Sequence, residues 1–164
     1  MLNPAMPCTG LTVFAYGSGN YWMGLLYDMK DIEKLIPHRP PFLFVDELTE
    51  VDDKRISGNQ VFDHGGLVIS DDLPDSNSVP EMILIESMIQ CGGAGVKMMG
   101  LTDGLFGLAH IENANFYRTA KIGEKICYQI TNIKVSKKII KQSGVASVDG
   151  NPIADATWMC VRID

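Results

Sequence analysis

Residues 80–100 read PEMILIESMIQCGGAGVKMMG, and this stretch decides the fold. Apolar side chains occur on every side of a helix built from it, so the stretch predicts one long helix that is buried on all sides. Its start is well marked, because Ser78 and Glu81 fit a capping box and Pro80 falls in the first turn, where its missing N–H is tolerated.

Glu86 lies in the middle of this predicted helix, among apolar residues. Ionised glutamate is rarely buried without a partner, because removing a carboxylate from water is costly. A carboxyl group that keeps its proton in such a place suits acid–base catalysis near neutral pH. The structural alternative is a Glu86 side chain that bonds to Gln90, one helical turn later. The helix alone leaves both interpretations open.

Composition limits the class of protein. The 164 residues are 46% hydrophobic and 21% charged, which is typical of one globular domain. A net charge of −6 argues against a nucleic-acid partner, since phosphate contacts need a basic surface. Glu86, Gln90 and Lys97 interrupt the apolar helix, so we expect no membrane span. The four cysteines lack CxxC spacing, and we expect neither a metal site nor a cofactor.

The N-terminal region differs from the rest of the chain. Residues 1–28 are rich in aromatic residues and glycine, and the first basic residue is Lys30. A signal peptide would begin with a charged region, so we expect a cytoplasmic protein. We interpret residues 1–28 as an N-terminal extension and residues 29–164 as a single domain that starts at Met29.

The remaining pattern predicts a helix-plus-sheet domain of the α+β class. A short helical turn is expected at residues 31–36 and a long loop at residues 63–77. Asp149-Gly150 is a strong hairpin signal. Strands are predicted at residues 42–50, 55–62, 105–111, 115–118, 125–137, 138–148 and 153–162.

Several segments, in this order, resemble one known family: PHRPPFLFVDEL, ILIESMIQCGGAGV, FGLAHIENANFYRTAKIGEKI and ASVDGNPIADATWMCVR. Over residues 31–162 the chain is similar to the FabZ-type 3-hydroxyacyl-[acyl-carrier-protein] dehydratases. The resemblance implies a hotdog fold, in which a curled antiparallel sheet is wrapped around one long central helix. It also implies a homodimer or a homohexamer, and a place for Gly92 and Gly93 where the sheet or a partner chain comes close.

The family pairs a helix carboxylate with a histidine of the facing loop, across a dimer interface. Glu86 matches the carboxylate, and Gln90 matches the glutamine that follows it. His64 follows its strand as the family histidine does, although Gly65-Gly66 stand where the family motif has Phe-Pro-Gly.

Dehydration of a 3-hydroxyacyl thioester needs a base, an acid and N–H donors for the thioester oxygen. The resemblance therefore assigns His64 as the catalytic base and Glu86 as the catalytic acid. Gln90, Glu81 and Met82 are the expected substrate-binding residues, the last two through their amides at the helix start.

Two further histidines receive other interpretations. His38 lies in a proline-rich bend and is expected to hold that bend. His110 is expected to be a core or solvent-facing strand residue.

Two other functions stay open from the sequence. A hotdog thioesterase would use Glu86 to activate water and would not need His64, and a non-catalytic subunit would only bind acyl thioesters. The substrate carrier is expected to be acyl carrier protein or CoA. A basic docking site for an acidic carrier could be formed by Lys134, Lys137, Lys138 and Lys141.

Overall fold

The structure is a computed structural model of the chain that describes residues 27–64 and 77–164. Most of the predicted N-terminal extension and most of the predicted 63–77 loop lie outside these residues. In chain order the elements are β1 (Tyr27–Asp28), α1 (Met29–Leu35), β2 (Glu47–Val51), β3 (Arg55–Val61), β4 (Ser78–Val79), α2 (Glu81–Met98), β5 (Phe106–Phe116), β6 (Ala120–Lys121), β7 (Lys125–Val135), β8 (Ile139–Val148) and β9 (Asn151–Arg162).

Seven strands form one antiparallel sheet in the order β1-β2-β3-β7-β8-β9-β5, and β4 pairs with β6 beside it. The long helix α2 packs against strands β2, β3, β7, β8 and β9 of this sheet. One long helix enclosed by an antiparallel sheet is the hotdog arrangement, so the predicted fold is confirmed. The Asp149-Gly150 turn between β8 and β9 is confirmed too, because both residues have positive φ, as a tight two-residue hairpin requires.

The core lies between α2 and the inner face of the sheet. Leu84, Ile85 and Met88 of the helix are at most 1% exposed, and they belong to the same cluster as the fully buried Tyr128 and Trp158. Burial of this apolar surface is the main favourable term in folding.

One side of α2 is only partly covered by the described chain, so the burial of this helix on every side stays a prediction. Glu86, Ile89, Gly93 and Lys97 are only partly buried. Their spacing places all four on one face of a helix with 3.6 residues per turn. We call this set the open stripe of α2.

Two of the helix glycines allow the sheet to come close. A Cβ atom on Gly95 would stand 2.6 Å from side-chain carbons of Ile56 in β3, and one on Gly92 would collide with the Gln142 side chain in β8. Gln142 is 1% exposed and donates a hydrogen bond from Nε2 to the Gly92 carbonyl at 3.2 Å. A residue larger than glycine at either position would push the helix off the sheet.

Three local predictions were wrong, each for an identifiable reason. The strand predicted at residues 42–50 begins only at Glu47, because the backbone before it bonds to a helix side chain instead of a strand. The two strands predicted within 105–118 are the single strand β5, which carries two bulges. The capping box is absent: Ser78 lies in β4, and Pro80 is the N-cap without a side-chain hydrogen bond.

Among the described residues, no helix combines the length and the apolar character needed to cross a membrane.

Gly95→Ala and Gly93→Ala form a matched pair that tests the close approach of helix and sheet. We expect Gly95→Ala to lower the free energy of unfolding by about 1–3 kcal/mol, because the added methyl group overpacks against Ile56. Gly93→Ala should raise it by up to about 1 kcal/mol, because alanine is the better helix former and no described atom lies within 4 Å of the new Cβ. Urea unfolding at one protein concentration measures both values.

Candidate active site

The Gln90 side chain connects helix α2 to the segment that follows α1. Gln90 is 2% exposed, and its Oε1 accepts a hydrogen bond from the Phe44 backbone N–H at 2.8 Å. Its Nε2 donates to the Phe42 carbonyl at 3.3 Å and to Glu86 Oε1 at 2.9 Å. Because the Phe44 N–H needs an acceptor, the amide is oriented with Nε2 toward Glu86.

Glu86 is partly exposed, with its side chain 24% accessible. Its Oε1 atom faces Gln90, whereas Oε2 has no hydrogen-bond partner among the described residues. The hydrogen bond to Gln90 that we gave as the structural alternative does form. It leaves Oε2 as the carboxyl oxygen that is open to a further hydrogen bond.

The imidazole that faces Glu86 within the chain belongs to His38. Its Nε2 lies 3.5 Å from Glu86 Oε1, and its side chain is 33% exposed. The His38 ring stacks on the Phe42 ring, with centroids 6.2 Å apart and planes 28° apart. Its Nδ1 atom is buried and has no hydrogen-bond partner in the described part of the chain. Among the described residues, Glu86 is therefore the polar side chain that this imidazole contacts.

Local hydrogen bonds hold the backbone around His38. Arg39 donates from Nη1 to the carbonyls of Ile36 and His38, at 2.9 Å and 2.6 Å. The Phe42 N–H donates to the Arg39 carbonyl at 2.8 Å. Our interpretation of His38 as the residue of a rigid bend describes this backbone, but it missed the contact with Glu86. The sequence signal for this contact was the proline on each side of His38-Arg39, since a rigid bend fixes the direction in which the His38 side chain points.

The thiol of Cys160, on β9, shares the environment of Glu86. Burial raises the pKa of Cys160 to about 11, and the charge of Glu86 adds to the rise. Because the charge of Glu86 acts on the Cys160 thiol, this part of β9 must lie near the Glu86 carboxyl group. Among residues 27–64 and 77–164, no three histidine, cysteine or acidic side chains cluster in a way that could hold a metal ion.

The other predicted site residues lie in different places. His64 is exposed and ends the first described range, and no described contact links it to Glu86 of the same chain. His110 is exposed on β5 and pairs with Met159, on the sheet face that points away from α2. Of the two alternatives given for it, a core or a solvent-facing strand residue, the structure shows the solvent-facing one.

The predicted binding residues at the helix start remain accessible. Glu81 and Met82 are exposed in the first turn of α2, which begins one turn before Glu86. Their N–H groups precede the first backbone hydrogen bond of the helix, which Ile83 donates to Pro80 at 2.9 Å. Such amides, at the positive end of the helix dipole, can bind a developing negative charge.

Solved structures share this fold at low sequence identity. The dehydratase heterocomplex ApeI:P from Xenorhabdus doucetiae superimposes with a TM-score of 0.70 at 16% identity, over 81% of this chain and 91% of that chain. A hypothetical thioesterase from Streptococcus pneumoniae TIGR4, solved with coenzyme A, gives 0.56 at 14% identity, over 82% and 96%.

Sequence relatives are more similar and cover most of the chain. A family model described as ApeP-like, ApeP dehydratase, matches residues 30–104. The 3-hydroxyacyl-[acyl-carrier-protein] dehydratase FabZ of Solibacter usitatus is 31% identical over 141 residues, which are 85% of this chain and 87% of that protein. FabZ of Fusobacterium nucleatum is 32% identical over 147 residues, 85% of this chain and 99% of that protein. The chain therefore belongs to the FabZ family of 3-hydroxyacyl-[acyl-carrier-protein] dehydratases.

Proposed function

We propose that this protein removes water from 3-hydroxyacyl thioesters with Glu86 as the acid and His38 as the base. The observation that carries the proposal is the 3.5 Å contact between His38 Nε2 and Glu86 Oε1, both partly exposed beside a free helix start. An imidazole and a carboxyl group side by side can supply the base that removes the C2 proton and the acid that protonates the leaving hydroxyl, which elimination of water requires.

The reaction then balances within this pair. His38 Nε2 takes the proton from C2 of the substrate, and the electrons of that C–H bond form the C2=C3 double bond. The C3–O bond breaks, and the departing hydroxyl takes the proton from Glu86 Oε2 and leaves as water. The imidazolium and the carboxylate that remain face each other, and return of the proton from His38 to Glu86 restores the starting state.

The start of α2 supplies the N–H donors that the thioester oxygen needs. As C2 loses its proton, negative charge develops on the thioester oxygen. The amides of Glu81 and Met82 lie in the first turn of the same helix and have no side-chain cap, so they are placed to donate to that oxygen.

Gln90 acts through Glu86 in this proposal. We expected it to bind substrate, but both ends of its amide are occupied by backbone groups and by Glu86. We infer that Gln90 is a positioning residue that keeps Oε1 occupied and directs Oε2 toward the substrate.

A dimer is the assembly that we propose. Among the described residues, β5 is an edge strand of the sheet, and Leu108 and Phe116 on it are 44% and 41% exposed. Exposed edges with apolar side chains pair readily with a second strand. Joining two β5 edges, with a second copy or with a related hotdog chain, would cover these residues and approach the open stripe of α2. A hexamer built from three such dimers is the alternative assembly.

The substrate carrier is proposed to be acyl carrier protein, in fatty-acid biosynthesis, because the relatives carry that name. Lys134, Lys137 and Lys138 lie at the β7–β8 hairpin and form no ion pair with the described residues, whereas Lys141 is bound to Glu112 at 2.6 Å. The positive charge of this hairpin would attract an acidic carrier protein. CoA is the alternative carrier. The cytoplasmic location stays a prediction.

Glu86→Gln tests the acid. The change keeps the size of the side chain and removes its transferable proton, so we expect a folded protein whose dehydratase turnover falls by at least about 10²-fold. Release of free thiol from acyl thioesters is measured alongside, because a thioesterase would show hydrolysis in place of dehydration. Full dehydratase turnover in this variant would contradict the proposed role.

His38→Ala and His64→Ala identify the base. We expect His38→Ala to lower turnover by at least about 10²-fold and His64→Ala to lower it by less than about tenfold. His110→Ala is the control, since that histidine lies on the outer face of the sheet. Circular dichroism checks that each variant is folded. The prediction drawn from the family motif gives the reverse ranking, in which His64 of a partner chain is the base, and that result would replace our assignment.

Leu108→Asp tests the interface. Static light scattering at micromolar concentration should give the unmodified protein at least twice the mass of one chain, alone or with a related chain. A buried charge at the interface should shift Leu108→Asp toward the monomer. Gln129→Asp, at an exposed position of the central strand β7, should keep the assembly intact. An unmodified protein that is monomeric, with or without such a chain, argues against a shared interface.

A further inference from the structure

Gly93 is a helix residue that nothing in the described chain requires to be glycine. Glycine in a helix interior is destabilising relative to alanine. At positions 92 and 95 glycine is required, because the side chains of Gln142 and Ile56 fill the space that a larger residue would need. A Cβ atom on Gly93 meets no described atom within 4 Å. The space above Gly93 is therefore not filled by any of the described residues.

This space lies in line with the proposed acid. Gly93 follows Glu86 by seven residues, or almost two helical turns, so the two share the open stripe of α2. Seven residues advance a helix by roughly 10 Å. Ile89, which lies between them, presents a partly buried apolar side chain. The surface from Glu86 to Gly93 is consequently apolar and contains no further charged group of α2.

Strand β5 provides a second apolar wall beside the stripe. Leu108 pairs with Cys160 and Ile111 pairs with Trp158, so each shares a sheet face with a buried residue of β9 that points toward the helix side. Leu108 is nevertheless 44% exposed, and Ile111 is only partly buried. The helix packs on β9, and Leu108 and Ile111 continue the apolar inner face of the sheet beyond β9. We call the apolar surface formed by the open stripe of α2 and this inner face of β5 the trough.

The occupant of the trough follows from the chemistry at its end. In the proposed reaction C2 and C3 lie at Glu86, and the rest of the acyl chain must continue from C3 along an apolar surface. We propose that the acyl chain runs along this trough and that the absent side chain of Gly93 sets the chain length the enzyme accepts. This inference rests on the proposed dehydratase function and names its substrate class more closely.

The distance from Glu86 to Gly93 gives the acyl-chain length at which a larger side chain at position 93 should begin to lower activity. An extended chain advances about 1.2 Å per bond, so roughly 10 Å corresponds to about eight bonds beyond the reacting carbons. A 3-hydroxybutyryl group ends well before Gly93, a 3-hydroxyoctanoyl group ends about three bonds, or roughly 4 Å, short of it, and a 3-hydroxymyristoyl group passes over it. Leucine at this position projects toward the N-terminal turn and would block the long chain.

The experiment compares Gly93→Leu with the unmodified protein on these three substrates, all on one carrier. We expect kcat/KM for 3-hydroxybutyryl to change by less than about threefold and kcat/KM for 3-hydroxymyristoyl to fall by at least about tenfold. Gly93→Ala should give a smaller drop in the same direction. Lys97→Leu is the control: it lies one turn further along the stripe and already carries a long side chain, so the ratio of long to short substrates should not change.

Two results would overturn the inference while leaving the proposed function intact. One is unchanged kcat/KM at all three lengths in Gly93→Leu. The other is an equal loss at all lengths together with a lower mass in light scattering, which would assign Gly93 to a subunit contact.

Binding of unreactive butyryl and myristoyl thioesters is measured as well, so that the inference does not depend on turnover. If the unmodified protein binds both but dehydrates no 3-hydroxyacyl thioester, the proposed function fails. In that case a selective loss of myristoyl binding in Gly93→Leu still supports the role of Gly93, and equal binding by the two proteins refutes it.

Discussion

The hydrogen bonds of the Gln90 amide are the constraint on which the candidate site depends. They tie a buried helix position to backbone groups of residues 42 and 44, nearly fifty positions earlier in the chain, and they hold Glu86 at the same time. A buried amide left without these partners would be costly, so the segment after α1 must lie against α2 for the fold to be stable. His38 is carried on that segment. The contact between His38 and Glu86 is therefore a consequence of how Gln90 is satisfied.

Much of the fold could be predicted from the sequence because its signals are local. Neighbouring residues are enough to predict the long apolar helix, the Asp149-Gly150 hairpin and the alternating strands. Glu86 could be chosen as a site residue for the same reason, since a carboxyl group inside an apolar helix is visible without a structure. The local prediction that failed was the helix cap, because Ser78 pairs with β6 as part of strand β4 and does not cap the helix.

The role of His38 could not be predicted in this way, because it depends on a contact between positions 38 and 86. The sequence shows a rigid proline-rich bend but not what the bend faces. The difference between Gly92, Gly93 and Gly95 was equally hidden, since three nearby glycines look alike until Gln142 and Ile56 are placed beside two of them. For His64, the family motif gives an expectation whose test needs the partner chain.

The arrangement separates chemistry from substrate length. The proposed acid and base lie on α2 and on the segment bonded to it, so their geometry is set within one chain. The trough from Glu86 toward Gly93 is bounded by β5, which is an edge strand in the described part of the chain, and a neighbouring subunit would complete its cover. Changes at the subunit interface would then alter which acyl chains bind before they alter the proton transfers. One hotdog scaffold could in this way keep its reacting groups fixed while the pairing of subunits varies the substrate.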